Sequence, residues 1–133
     1  MNYSIRPYHA SEFEMLKSWW TLAKEVCPEK ECLPEESTLI LELDGVPALA
    51  ITVYLTNCKR VAYLENFIGN PEMKGDSRKQ ASQLIVDAAC NFAKNLGYTR
   101  ILCLSLKDKL NERYVELGMK PTQGPLNGFI REL

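Results

Sequence analysis

The sequence predicts a single-domain α/β (α+β) fold. Its sheet is mixed but mostly antiparallel, with helices on both faces, in the order β-α-β-β-β-α-β-α-β. Three observations point to it. In the middle of the chain "STLILELDGVPALAITVYL" is followed by the apolar run "RVAYLENFI", which together read as a three-stranded antiparallel meander. The strand-helix-strand order from Arg60 through Leu106 reads as a right-handed crossover between parallel strands. Finally, 133 residues with 46% hydrophobic and 25% charged side chains suit one domain, residues 1–133, with a core of its own.

Each element has a local reason. "YSIRP", Tyr3 to Pro7, reads as a short first strand. Ser11 followed by Glu14 matches a capping box, and Phe13, Leu16, Trp20 and Ala23 recur at helical spacing behind it. A helix is therefore expected from about Ser11 to Val26. Trp19 and Trp20 are one step apart and cannot share one face of a straight helix, so one is expected to line a cleft or a partner surface. "CPEKECLPEES", with two prolines and dense charge, reads as a loop.

Thr38 to Leu43 and Pro47 to Leu55 then form a hairpin about the turn signal Asp44-Gly45. Pro47 lies at the start of its strand, where a missing ladder donor costs least. Arg60 to Ile68 is the third strand, with Val61, Tyr63, Glu65 and Phe67 on one face and Ala62, Leu64, Asn66 and Ile68 on the other. In the long helix after the loop, Leu84, Ile85, Ala88, Ala89, Phe92, Ala93 and Leu96 make the apolar stripe, and Gly97 follows as a C-cap. "TRILCLSL" has the near-continuous apolar character of a strand buried on both faces. "KDKLNERYVELG" reads as a short helix closed by Gly118, and "NGFIREL" as a terminal strand.

Charge and cysteine usage narrow the function classes. A net charge of −1 without a long basic run does not favour nucleic acid as a partner. The apolar segments fall short of a membrane span, and "MNYSIRPYH" lacks a signal-peptide core, so a cytoplasmic protein is expected. The five cysteines are scattered, which fits a reducing compartment better than a disulfide framework. With His9 the only histidine and Cys27/Cys32 the only close cysteine pair, no metal is expected.

The stretch Glu65 to Ala89 passes from a strand through a polar loop into a helix N-terminus, a common way to hold a phosphate. "YLENFIGNP", the helix after it and "ERYVELGM" together resemble the GCN5-related N-acetyltransferase (GNAT) family across nearly the whole chain. Trp19-Trp20 and "NPEMKGDSRKQA" are similar to its small, often phage-encoded members. The resemblance implies acetyl-CoA as acyl donor, bound in a V-shaped opening between the strands Arg60–Ile68 and Arg100–Ser105, and an amine acceptor. A homodimer is left open.

The family's pyrophosphate loop, carried onto this chain, falls on residues 76–81. Asp76 then takes the arginine or glutamine position, Lys79 the first glycine and Ala81 the last position, with Ser82 opening the helix. That loop is degenerate, and Arg78, Lys79, Gln80 and Ala81 are the candidate cofactor-binding residues, Arg78 and Lys79 acting through their side chains. The resemblance places the carbonyl-steadying backbone N–H at Phe67 or Ile68. It makes Tyr114 the candidate acid beside the CoA sulfur. Glu65, a carboxylate between two strand aromatics, is the candidate base and substrate ligand. Trp19, the "CPEKECLPEES" loop and the segment around "QGPLNG" would wall the acceptor region. The alternative reading is a non-catalytic binding module on the same scaffold that acts through a protein partner.

Overall fold

The computed structural model describes residues 2–104, 108–122, 129 and 131–133. Five strands form one sheet in the order β1-β2-β3-β4-β5: β1 Tyr3–Pro7, β2 Thr38–Leu43, β3 Val46–Leu55, β4 Val61–Gly69 and β5 Arg100–Leu102. The first four pair antiparallel, and β4 pairs β5 in parallel. Helix α2, Asp76–Asn95, supplies the crossover between that parallel pair. The hairpin turn has φ 51° at Asp44 and 81° at Gly45, the primed geometry that an Asp-Gly pair favours. No helix among the described residues is long and apolar enough to cross a membrane.

The sheet is covered on both faces. On one, Leu49, Ile51, Val53, Ala62 and Leu64 meet Ala81, Ile85, Val86 and Ala89 of α2, together with Tyr114 and Leu117 at the end of α3, Asp108–Glu116. The buried stripe of α2 is rotated from the expected one: Val86 is buried, whereas Leu84 is 39% and Leu96 is 43% exposed. The helix also begins at Asp76 and not at Ser82. Gly75 is its N-cap, at φ 76° and ψ −150°, a conformation reserved for glycine that turns the chain into the helix six residues early.

On the other face α1, Phe13–Leu22, packs Leu16, Trp19 and Trp20 over Ile40, Ala50 and Ile68. Both indoles are only 4% exposed, so neither forms the open surface expected of one of them. The reason is tertiary. The segment after α1 folds back and puts Leu33 and Cys27 into the same cluster, so α1 is covered on two sides. The Tyr54 hydroxyl ties that segment to β3 by donating to the Cys32 carbonyl at 2.7 Å. The helix is shorter than its periodicity suggested, and its lead-in is capped differently. A 3-10 turn, Ala10–Glu12, precedes it, and the Glu12 carboxylate accepts from the His9 backbone N–H at 3.0 Å.

β5 is the largest departure. It has three residues, and Cys103 and Leu104 lie outside the ladder, with Leu104 58% exposed. Its partner β4 continues to Gly69, so residues 64–69 have no described strand on the β5 side. Among the described residues the pairing of β4 with β5 stops at Tyr63 and Leu102, at the place where the resemblance implies an opening. Of the expected terminal strand only 129 and 131–133 are described, and they are not in the sheet. The "QGPLNG" segment lies outside the described residues.

Candidate functional site

The site grows from one irregularity in β4. Thr52 faces Glu65 across the β3–β4 pair, but Ala50 faces Ile68, so β4 carries one residue more than β3 over this span. Asn66 sits at the step with φ 56°, a conformation that asparagine tolerates better than most side chains. The bulge swaps the faces of the strand. Ahead of it Glu65 shares the α1 face with Thr52; beyond it Ile68 joins the α1 cluster and Phe67 packs with the α2 and α3 residues. The expected common face for Glu65 and Phe67 is thus corrected, because an extra residue breaks strict alternation. A bulge also leaves one residue of the strand out of the ladder, at Asn66 or Phe67, where backbone N–H groups become available.

Around this point the fold collects polar groups. The Asn66 amide donates to the Tyr54 hydroxyl at 2.8 Å, fixing the bulge to β3. Burial pushes the Glu65 carboxyl above its ordinary range. Tyr114, 7% exposed, meets the ring of Phe67 edge-on, with centroids 6.5 Å apart and planes at 60°. Burial, and then a hydrogen bond to the Cys103 thiol, pushes its phenol well above the ordinary range, and the Glu65 charge adds to this. Burial likewise raises the Cys103 thiol, although its Tyr114 partner acts in the opposite sense. Glu65, Phe67, Cys103 and Tyr114 therefore gather where β4 and β5 part. Cys103 was readable in the sequence only as a small apolar residue, because its place beside Tyr114 depends on β5 ending early.

The loop after β4 is held by Asn70. Its backbone N–H donates to the Ala48 carbonyl at 2.8 Å, and its side-chain amide to the Pro47 carbonyl at 3.1 Å. Its side-chain oxygen accepts from the Glu72 N–H at 3.0 Å, the pattern of an Asx turn. Beyond the loop, a cleft of about 600 Å³ opens between the end of α1, the end of β4 and the first turns of α2. Phe67, Ile68, Gly69, Arg78 and Arg113 are among its walls.

Of the six candidate cofactor residues, Phe67, Ile68 and Arg78 line this cleft. Lys79, Gln80 and Ala81 do not. Lys79 is exposed, Gln80 accepts from the Tyr3 hydroxyl at 3.3 Å, and Ala81 is fully buried against the sheet. The reason is that 76–81 is helix and not loop, so its side chains radiate from the helix axis instead of lying along one wall. Trp19 lies in the α1 core. Arg113 was missed in the sequence, since its only signal there is standing next to Tyr114.

No protein-family model matches the sequence, and no curated protein matches it. Solved structures do match its fold. Ard1 from Thermoplasma volcanium aligns with a TM-score of 0.73 at 14% identity, over 92% of this chain and 86% of that one. AAC(6')-Iy in complex with a CoA bisubstrate analogue aligns with a TM-score of 0.71 at 16% identity, over 98% and 99%. Glucosamine-6-phosphate N-acetyltransferase from Arabidopsis thaliana aligns with a TM-score of 0.65 at 15% identity, over 98% and 100%. The likeness is one of fold.

Proposed function

We propose that this chain, whose fold is that of the GCN5-related N-acetyltransferases, is an acyl-CoA-dependent N-acetyltransferase acting on an amine. The observation that carries the reading is the meeting of Glu65, Phe67 and Tyr114 at the parting of β4 and β5, beside a cleft with two arginines in its walls. These residues fit a phosphate-bearing thioester. The open edge of β4 suits an extended ligand arm, and Arg78 and Arg113 suit phosphate.

Acetyl-CoA supplies an activated acetyl group as its thioester. The backbone N–H groups at Phe67 and Ile68, beside the bulge, point to hydrogen bonding of the carbonyl oxygen as charge builds on it. Glu65 accepts the proton of the acceptor ammonium, directly or through water, and its raised pKa brings it closer to the working range. Tyr114 keeps its proton across that range and so steadies the leaving sulfur as a hydrogen-bond donor, without having to give the proton up. The fold does not choose the amine: the related structures include enzymes named for quite different acceptors.

One observation favours the second reading, a binding module that works through a protein partner. Residues 76–81 are helical, and no open phosphate loop lies there. Titration with acetyl-CoA separates the two. Micromolar binding supports the transferase, and an acceptor screen with a thiol-release readout then follows. No binding up to millimolar acetyl-CoA overturns it and leaves the binding module.

A further inference from the structure

We infer that Tyr54 is a positioning residue for acyl transfer: its hydroxyl joins the β4 bulge to the segment after α1 and so keeps the backbone donors at Phe67 and Ile68 in place. The inference rests on the transferase reading and adds a residue to it. Thr52 and Tyr54 are two apart on β3 and share the α1 face, opposite Ile51 and Val53 of the α2 core. Glu65 lies on that face too, paired with Thr52. From there the Tyr54 hydroxyl donates to the Cys32 carbonyl at 2.7 Å and accepts from the Asn66 amide at 2.8 Å. A phenol has one proton and a carbonyl can only accept, so the direction of both bonds is fixed. Burial holds the phenol above its ordinary range, with the Asn66 bond opposing and the Glu65 charge adding to the effect, so that proton stays in place.

The bulge needs such a tie. Asn66 has φ 56° inside a strand, a conformation that costs more than extended backbone and persists only where its surroundings impose it. Thr52 pairs with Glu65 before the step and Ala50 with Ile68 after it. If the extra residue moved along β4, the side chains it passed would change face, and the N–H groups beside it would turn with them. The Asn66 amide, bonded to a hydroxyl on the partner strand, opposes that movement. The hydroxyl is held in turn by the Cys32 carbonyl, in a segment seated on the α1 cluster through Leu33 and Cys27. The carbonyl-steadying donors, and Glu65 just before them, are thereby tied to the seating of a segment far from them in sequence.

The test is isotope-edited infrared spectroscopy of bound acetyl-CoA labelled at the thioester carbonyl. Wild type, Tyr54→Phe, Asn66→Gly and the double variant are compared, with circular dichroism to check folding and calorimetry for affinity. Hydrogen bonds from the bulge lower the carbonyl stretching frequency, so wild type should show the band displaced from its place in free acetyl-CoA. Tyr54→Phe is expected to return the band at least halfway to the free position and to change affinity by less than about threefold. Asn66→Gly accepts the left-handed backbone and deletes the amide, and should do the same. Because both act through one bond, the double variant should go no further than the larger single one. A band already at the free position in wild type, or unmoved in Tyr54→Phe, overturns the inference. So do additive effects, which would make the two residues independent, and a band shift lost only together with affinity, which would make Tyr54 a packing residue. Should Tyr54→Phe not fold, Asn66→Gly decides by the same band. In all these cases acetyl-CoA binds wild type and the transferase reading stands. If wild type binds no acetyl-CoA, that reading falls and takes the inference with it.

Discussion

The Arg78 guanidinium lies over Gly69 so closely that a Cβ built on Gly69 would be 2.8 Å from Nη2, and 3.0 Å from Cδ2 of Leu49 on its other side. The first neighbour is the far end of a flexible side chain; the second belongs to a fully buried leucine. Gly69→Ala should therefore do two things. It should lower stability by about 1–3 kcal/mol through overpacking. It should also push Arg78 off the strand and weaken acetyl-CoA binding about tenfold. Thermal denaturation and calorimetry read the two effects apart. Wild-type affinity in the variant would show that Arg78 does not need its place over Gly69.

Tyr114→Phe keeps the ring against Phe67 and removes only the hydroxyl. The melting temperature is expected to stay within a few degrees, while kcat falls about ten- to a hundredfold with KM little changed. Steady-state kinetics on the acceptor found by screening would check it. A drop in stability without a drop in kcat would make the residue a packing tyrosine.

Glu65→Gln tests the base. Because burial raises the Glu65 carboxyl, kcat/KM in wild type should fall on an acid limb lying above the ordinary glutamate range. The variant should lose about a hundredfold in rate and that limb with it. Stability moves the other way. A raised carboxyl pKa makes the charged form costly in the folded state, so the cost is present above the folded pKa and absent below the unfolded one. Glu65→Gln should consequently be no less stable than wild type at neutral pH, as a thermal melt would show.

Glu12 carries the opposite sign. Its hydrogen bonds to Arg6, at 2.9 and 2.7 Å, hold its carboxyl below the ordinary range, with the His9 N–H assisting. Its contribution is present above the unfolded pKa and is lost as pH falls through the depressed folded value. Glu12→Gln should cost about 1 kcal/mol at neutral pH and remove that part of the acid sensitivity. Urea titrations at pH 7 and near pH 3 give the comparison, and an equal loss at both would assign the effect to packing.

Much of the architecture was legible from residue periods and turn chemistry. β1, the Asp44-Gly45 hairpin and most of β4 follow their local patterns. So does the end of α3, where Gly118 and Met119 donate to the carbonyls of Val115 and Tyr114, at 3.0 Å each. These features rest on contacts near in sequence. The faces of β4 were not legible past Asn66, because a single inserted residue reverses every later side chain and announces itself only through the partner strand.

The candidate site divides along the same line. By itself the sequence determined which side chains can do the chemistry: Glu65 on a central strand, Tyr114 before a helix-ending glycine, and cations ahead of a long amphipathic helix. Only the tertiary structure decided which of them meet. It buried Trp19, took Lys79 and Gln80 away from the cleft, brought Cys103 to the parting of β4 and β5 and put Arg113 in the wall of the cleft beside it. The physical reason is that spacing within a segment sets a side chain's direction, whereas its neighbours depend on where two strands stop pairing and where a helix begins. Here those points are Tyr63 with Leu102, and Gly75.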